Sequence, residues 1–264
     1  MKKILFVNQD TTPYVEESVL AKLGMMIPNK LQEVGNELRI IMPLYGLINE
    51  RRGQLHEVIR LSGLNINISE IDHPVIIKVA SIPQTKLQAY FIDNEEFFSR
   101  KAQTTDADGK PFADNGERAV FFARGVIETI KKQRWTPDVV VCNGWMAALL
   151  PLYVKEAYKD EPAIADAKII TAVFDEAPEQ TIKDISKNSL LFNSVSEEFL
   201  SAYGDSLSGM DLAKMAIDHS DGIIAAVPNS NEAIMDYARQ SNKKVLEYPG
   251  DDFVAAYTGF FDSL

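Results

Sequence analysis

Residues 1 to 45 limit the fold more than any other stretch of the chain. Lys2-Lys3 lead into a short apolar run, Ile4-Leu5-Phe6-Val7, which has the length of one buried strand. Asn8-Gln9-Asp10-Thr11-Thr12-Pro13 is turn chemistry. Val19, Leu20, Leu23, Met26, Ile27 and Leu31 then recur at three- and four-residue spacing, the period of a helix with one apolar face. Gly35-Asn36 ends that helix, because glycine and asparagine accept the left-handed backbone a helix terminus asks for. Leu38 to Met42 reads as a second strand. Strand, loop, helix, strand is how a doubly wound, mostly parallel α/β sheet begins, and ligands in such sheets sit at the carboxyl ends of the strands. Residues 8 to 19 are therefore expected at the mouth of any site.

The rest of the chain continues the scheme. His73-Pro74 opens a strand over Val75–Ala80, and Leu87–Ile92 follows a Pro83-Gln84-Thr85 turn, which predicts a hairpin inserted into the parallel order. Residues 50 to 72 are mixed and receive no assignment. Glu117–Lys132 is a strong amphipathic helix, broken by Trp135-Thr136-Pro137-Asp138. Val139–Cys142 is a continuous apolar strand, as expected where both sheet faces are covered. A helix is predicted over Trp145–Ala157, a strand over Lys168–Phe174, and irregular chain over Asp175–Ser194. Helical segments are read at Glu197–Tyr203 and Leu212–Asp218. A strand follows at Gly222–Val227, then a helix over Asn231–Arg239 capped by Asn229, an edge strand at Lys243–Glu247 and a terminal helix over Asp251–Leu264. No repeat, linker or low-complexity tract divides the 264 residues, so one domain over 1–264 is the expectation.

Composition removes several classes of function. A net charge of −11 disfavours non-specific nucleic-acid binding, and Arg51-Arg52, flanked by Glu50 and Glu57, reads as a solvated loop. No run of about 20 apolar residues is present, so no membrane span is expected. The opening apolar run is shorter than the roughly 7–15 residues of a signal segment, which points to the cytoplasm. His56, His73 and His219 fall in no metal-ligand spacing, and the single cysteine, Cys142, follows a buried strand without a basic neighbour. Asp106-Ala107-Asp108-Gly109-Lys110 lacks the third acidic position and closing Glu of a calcium loop and reads as a turn. No cofactor or metal is called for.

The informative polar residues collect at predicted strand ends: Asn8, Gln9, Asp10, Glu16 and Glu17 after the first strand, Asn143-Gly144-Trp145 after Val141, and Asp175-Glu176 after Val173. Neither GxGxxG nor GxxxxGK[ST] occurs in the first turn, so a backbone cradle for phosphate has no place there. Asn143 can hydrogen-bond a sugar hydroxyl but cannot act as a base. Asp114-Asn115-Gly116-Glu117-Arg118 opens a helix, where Asp or Asn can cap and Glu117 meets the positive helix end.

Several spaced motifs now stand together: KKILFVNQDTTPY, LRIIMPLYG, FIDNEEFFSR, FADNGERAVFFARGVIE, WTPDVVVCNGWMAALLP and AIDHSDGIIAAVPNSNEAI. In their order and content the chain resembles the N-terminal half of bacterial glycogen synthases and plant starch synthases, and most of all short, one-domain glycogen synthase-like proteins. The family consists of GT-B glycosyltransferases that pass glucose from ADP-glucose to the non-reducing end of an α-1,4-glucan. The resemblance implies a Rossmann-like GT-B N-terminal-type domain, without the C-terminal domain that binds most of the nucleotide. It implies a sugar-facing cleft at Asp114, Asn115, Arg118, Asn143, Trp145 and Asp175. It also implies an α-glucan as ligand, and an open interdomain face able to take a second copy or a separate partner chain.

The departures from the family's pattern are specific. Where its first loop carries Lys-x-Gly-Gly against the sugar nucleotide, this chain has Glu16-Glu17-Ser18-Val19. Its His-Asp-Trp motif reads Asn143-Gly144-Trp145, and its later His-Asn pair reads Phe174-Asp175. Asp114-Asn115, Arg118, Trp145, Leu149 and Pro151 match. A glutamate in place of a lysine turns attraction for a diphosphate into repulsion, each worth on the order of a few kcal/mol at close range. The expectation is a glucan-metabolism protein in which ADP-glucose binding is opposed and transfer by the chain alone is weak or absent. The alternative is a non-catalytic glucan-binding or regulatory module acting with a partner.

Overall fold

The apolar run at the N-terminus becomes the centre of the molecule, with Ile4, Leu5, Phe6 and Val7 fully buried. A computed structural model describes residues 1–264. The chain begins with β1 (Lys3–Asn8), α1 (Val19–Glu33), β2 (Glu37–Pro43) and a short α2 (Glu50–Gly53). The unassigned stretch then resolves into β3 (His56–Glu57) and β4 (Leu64–Ile68), followed by β5 (Ile71–Ser81) and β6 (Gln88–Asp93). Next come α3 (Glu95–Phe98), α4 (Asn115–Gln133), β7 (Val139–Asn143), α5 (Leu150–Lys155) and β8 (Lys168–Val173). The remainder is β9 (Asp184–Ser186), α6 (Lys187–Leu190), β10 (Ser206–Ser208), α7 (Gly209–Asp218), β11 (Gly222–Ala225), α8 (Glu232–Gln240), β12 (Lys244–Leu246) and α9 (Phe253–Ser263).

The main sheet has the order β12-β11-β8-β7-β1-β2-β6-β5-β3, with β4 paired to β5. From β12 to β6 every pairing is parallel. The expected hairpin forms between β5 and β6, from Ile76↔Asp93 to Ser81↔Gln88. Its second strand also lies parallel to β2, so the hairpin extends the sheet rather than interrupting it. The fold is α/β, Rossmann-like and mostly parallel. After β1 the chain steps to β2 on one side and later returns to β7 on the other. The switch point of the sheet therefore lies between the carboxyl ends of β1 and β7, where α/β sheets open a crevice.

Several sequence expectations are corrected. The helix expected over Trp145–Ala157 is a 3-10 turn, Trp145–Ala147, and then α5, with Pro151 in the first turn, where its missing N–H has no intrahelical partner to lose. Glu197–Tyr203 holds only a 3-10 turn at Phe199–Ala202. Asn231, not Asn229, caps α8, its Oδ1 accepting from the Ile234 N–H at 3.3 Å. The Asp175–Ser194 stretch is not wholly irregular: β9 pairs antiparallel with β10 in a small second sheet. In the terminal helix Tyr257, Phe260 and Phe261 are buried, and Phe260 lies where a side chain on Gly222 would have to stand. No helix is long and apolar enough to cross a membrane.

Candidate functional site

The carboxyl ends of β1 and β7 are knitted by asparagine side chains. Asn143 donates its amide to Asn8 Oδ1 at 2.7 Å, and Asn8 donates to the Gly24 carbonyl at 2.8 Å and to Thr11 Oγ1 at 3.0 Å. The Gln9 N–H donates to the Asn143 carbonyl at 2.8 Å, and Gln9 Oε1 accepts from the Met146 N–H at 3.2 Å. Gly144 takes φ +83, and a Cβ there would fall 2.6 Å from Gln9 Cβ. Both the left-handed backbone and the close approach demand glycine at this position. Asn143 is 4% exposed, so its amide holds the scaffold together rather than standing free for a sugar hydroxyl.

Asp10 stands one step beyond this seam. It is 7% exposed, and its Oδ1 accepts from Gln103 Nε2 at 2.6 Å. Burial pushes its carboxyl up from 3.8 to about 7; the Glu176 charge adds to this, against the hydrogen bonds from Gln103 and Gln9. Glu176 is also raised, by burial first and Asp175 next, against a hydrogen bond from the Thr181 hydroxyl. Trp145 donates its indole N–H to the Glu176 carbonyl at 3.0 Å, which fixes the loop after β8 on the turn after β7. A buried carboxyl that changes charge near neutrality can accept or return a proton at this mouth.

The start of α4 supplies the third component. Asn115 donates its amide to two carbonyls, Thr104 and Thr181, each at 2.7 Å, and so bridges the loop before α4 to the loop after β8. Arg118 is fully buried, donating from Nη1 to Asn115 Oδ1 at 2.6 Å and from Nε to the Phe97 carbonyl at 2.8 Å. Its Nη2 has no partner, and burial lowers its pKa to about 10, so the guanidinium remains charged at neutral pH. Asp114 makes no capping bond. Its carboxylate pairs instead with Arg100, whose hydrogen bonds and charge hold it below the usual carboxylate range although burial pushes the other way.

The site residues read from sequence therefore fall into two groups. Asn115, Arg118, Asn143 and Trp145 are buried and hydrogen-bonded around the seam. Asp114 is half-buried on Arg100, while Asp175 is exposed, 3.5 Å from the Asn229 amide. Glu16, Glu17 and Ser18 are exposed ahead of α1, and Val19 is exposed at its first position. Ser18 caps that helix, its Oγ accepting from the Ala21 N–H at 2.9 Å, and Glu17 pairs with Lys22 at 2.9 Å. Cys142 is buried and its thiol pushed far up, which makes it inert. No three His, Cys, Asp or Glu side chains converge as metal ligands.

Asp10 and Glu176 were visible in the sequence as strand-end acids, but nothing in their neighbours marked Asp10 as buried or Glu176 as half-buried. Gln103 and Thr181 join through tertiary contacts, and no local pattern announces them. Beside the mouth a cleft of about 770 Å³ opens between α2 and the segment 101–105, with Tyr14, Glu16, Arg52 and Lys101 among its walls.

The comparisons with known proteins agree with this architecture. The family model of the starch synthase catalytic domain matches residues 3–247. The glycogen synthase of Chlorobium limicola is 38% identical over 172 residues, covering 65% of this chain and 35% of that protein. The glycogen synthase of Chlorobium phaeovibrioides is 31% identical over 233 residues, 88% of this chain and 47% of its own length. The chain thus spans half or less of the curated relatives it matches. Among solved structures, the catalytic domain of starch synthase IV from Arabidopsis thaliana, bound to ADP and acarbose, superposes over 94% of this chain and 51% of its own. Its TM-score is 0.73 at 15% identity, a likeness of fold. With a family model covering nearly its whole length and a GT-B-type, Rossmann-like sheet beneath it, this chain belongs to the glycogen and starch synthase family.

Proposed function

We propose that the chain works in α-1,4-glucan metabolism as a glucan-binding domain, akin to the acceptor side of an ADP-glucose-dependent glucosyltransferase, and that alone it transfers little or no glucose. One observation carries this reading: the acidity of the strand-end mouth. Asp10, Glu16, Glu17, Asp175 and Glu176 gather on the loops after β1 and β8. Of the nearby cations, Lys22 pairs with Glu17, Arg100 pairs with Asp114 and Arg118 is buried, so the acids of the mouth outnumber the unpaired cations, Arg52 and Lys101, of the adjoining cleft. A diphosphate entering such a field is repelled, whereas a neutral glucan is not. Ser18 serves as a helix cap, and Val19 has none of the backbone freedom of the glycine that stands there in the family. A face left open for a second copy or a partner chain, in the cytoplasm, completes this reading.

Asp10 favours a second reading, in which transfer occurs once another polypeptide supplies the nucleotide contacts. A carboxyl titrating near 7 at the mouth has the proton affinity of a working acid or base. Transfer of radiolabelled glucose from ADP-glucose to glycogen, measured for the chain alone and with a relative's nucleotide-binding domain added, beside electrophoretic retardation in glycogen-containing gels, separates the two: transfer only with the added domain favours the second. Retardation without transfer is the expected result. Steady transfer by the purified chain would refute the first reading, and absence of both would refute the glucan assignment.

A further inference from the structure

The two acids of the mouth with raised carboxyls each lean on one donor from an irregular segment. Asp10 Oδ1 accepts from Gln103 Nε2, between α3 and α4, at 2.6 Å. Glu176 accepts from the Thr181 hydroxyl, farther along the loop after β8. Both bonds favour the charged carboxylate, against burial, which favours the proton. Neither donor is fixed by a helix or a strand of its own. Both are seated by one side chain. Asn115 spends its two amide hydrogens on the carbonyl of Thr104, the residue after Gln103, and on the carbonyl of Thr181, each at 2.7 Å. No other protein group donates to the Thr181 carbonyl, while that of Thr104 also takes the Phe112 N–H at 3.0 Å. The amide is held in this orientation from behind. Arg118 Nη1 donates to Asn115 Oδ1 at 2.6 Å, and a guanidinium can only donate, so the oxygen must face it and the NH2 must face the two loops. Asn115 is 1% exposed, so water does not compete for these bonds.

We propose that Asn115 is a positioning residue of the mouth, one amide that seats the donors of both acids, so that Asp10 and Glu176 gain or lose their hydrogen bonds together. The charges around the pair come from other residues. Asp175 acts on Glu176, Glu176 acts on Asp10, Asp114 is paired with Arg100, and the Tyr45 hydroxyl lies within reach of Asp10, Glu176 and Arg118. A neutral substitution of Asn115 removes none of them, and Arg118 keeps its bond to the Phe97 carbonyl. Such a variant therefore acts on the acids through their donors. The inference does not rest on glucan binding or on transfer, because its readout is the titration of two named carboxyls.

Carboxyl carbon shifts of Asp10 and Glu176, followed by NMR from about pH 4 to pH 9 in the full chain, test it. In Asn115→Ala both acids should titrate at higher pH than in the parent, since each loses a bond that favours its charged form. Gln103→Leu should raise Asp10 and not Glu176, and Thr181→Val should raise Glu176 and not Asp10. Thr129→Val, which removes a buried hydroxyl bond to the Gly125 carbonyl farther along α4, should cost stability and leave both acids where they were. The unmodified chain gives a test that needs no variant to fold: the two side-chain amide protons of Asn115 should shift as Asp10 and Glu176 titrate. Movement of one acid alone in Asn115→Ala, of both acids in Thr129→Val, or amide protons of Asn115 indifferent to pH in the parent would overturn the proposal.

Discussion

The mouth at the ends of β1, β7 and β8 and the cleft between α2 and residues 101–105 adjoin one another and are built by opposite means. In the mouth, polar side chains are turned inward and bonded to one another: Asn143 to Asn8, Trp145 to the Glu176 carbonyl, Asn115 to two loops. What remains open there is acidic. In the cleft, Asn49 and Gln103 are bonded, to the Arg52 N–H and to Asp10, but the side chains of Arg52 and Lys101 have no partner. The difference teaches that polar residues at strand ends do not by themselves make a binding surface; those with free donors and acceptors do. Asn115 joins the regions, holding Thr104 beside the cleft and Thr181 beside the mouth.

Breaking the shared support should have the largest effect. Arg118→Ala leaves a cavity and strips partners from the Phe97 carbonyl and Asn115; denaturant unfolding should show a loss on the order of 4 kcal/mol. Asn115→Ala removes two bonds to buried carbonyls, for about 2–3 kcal/mol. Its sharper signature is in hydrogen exchange: amides of residues 99–105 and 176–182 should lose protection together, while those of β11 keep theirs. If only one loop responds, the bridge does not couple the regions.

Asp10→Asn addresses the mouth alone. Because the folded carboxyl is raised from 3.8 to about 7, native Asp10 favours the proton. Its contribution to stability is full below about pH 4 and is lost as pH rises toward 7. The asparagine variant should lack that decline and be more stable than the parent at pH 8 by on the order of 2 kcal/mol, read from denaturant midpoints at pH 5 and pH 8. An identical pH slope in both proteins would remove Asp10 as a titrating group. The smallest effect is expected from Glu16→Lys, which should raise affinity for ADP about tenfold by reversing one charge at the boundary of the two regions. No gain would mean that the field of the mouth is not what opposes a nucleotide.

The backbone plan was legible in the sequence because strand and helix periods are local. β1, α1, β2, α4, β7 and β8 follow from apolar spacing and from glycine and proline stops. β4 was missed although Leu64, Ile66 and Ile68 alternate with Asn65 and Asn67, a period of two hidden by its shortness. The helix after Gly144 was overextended because an apolar stretch says nothing about where its hydrogen bonds break. At the site, the sequence shows which polar residues stand at the strand ends but not how their side chains turn. Asn143 was expected to face a sugar and bonds Asn8, 135 residues away, a contact no local rule contains. Asp114 or Asn115 was expected to cap α4, but Asp114 meets Arg100 and Asn115 bonds the Thr104 and Thr181 carbonyls. Burial of Asp10 depends on Gln103, 93 positions later.

The central position of β1 has a kinetic consequence. One edge of this strand closes early on β2, a partner 34 residues ahead, as Lys3 meets Glu37. The other waits for β7, 135 residues ahead, where Ile4 meets Val139. Pairings so distant in sequence form slowly. During refolding the β1–β2 half should gain protection first, and the Asn8–Asn143 seam should be among the last contacts made. The mouth would then be a late product of folding, and a nascent chain would carry a finished strand with its functional edge still bare.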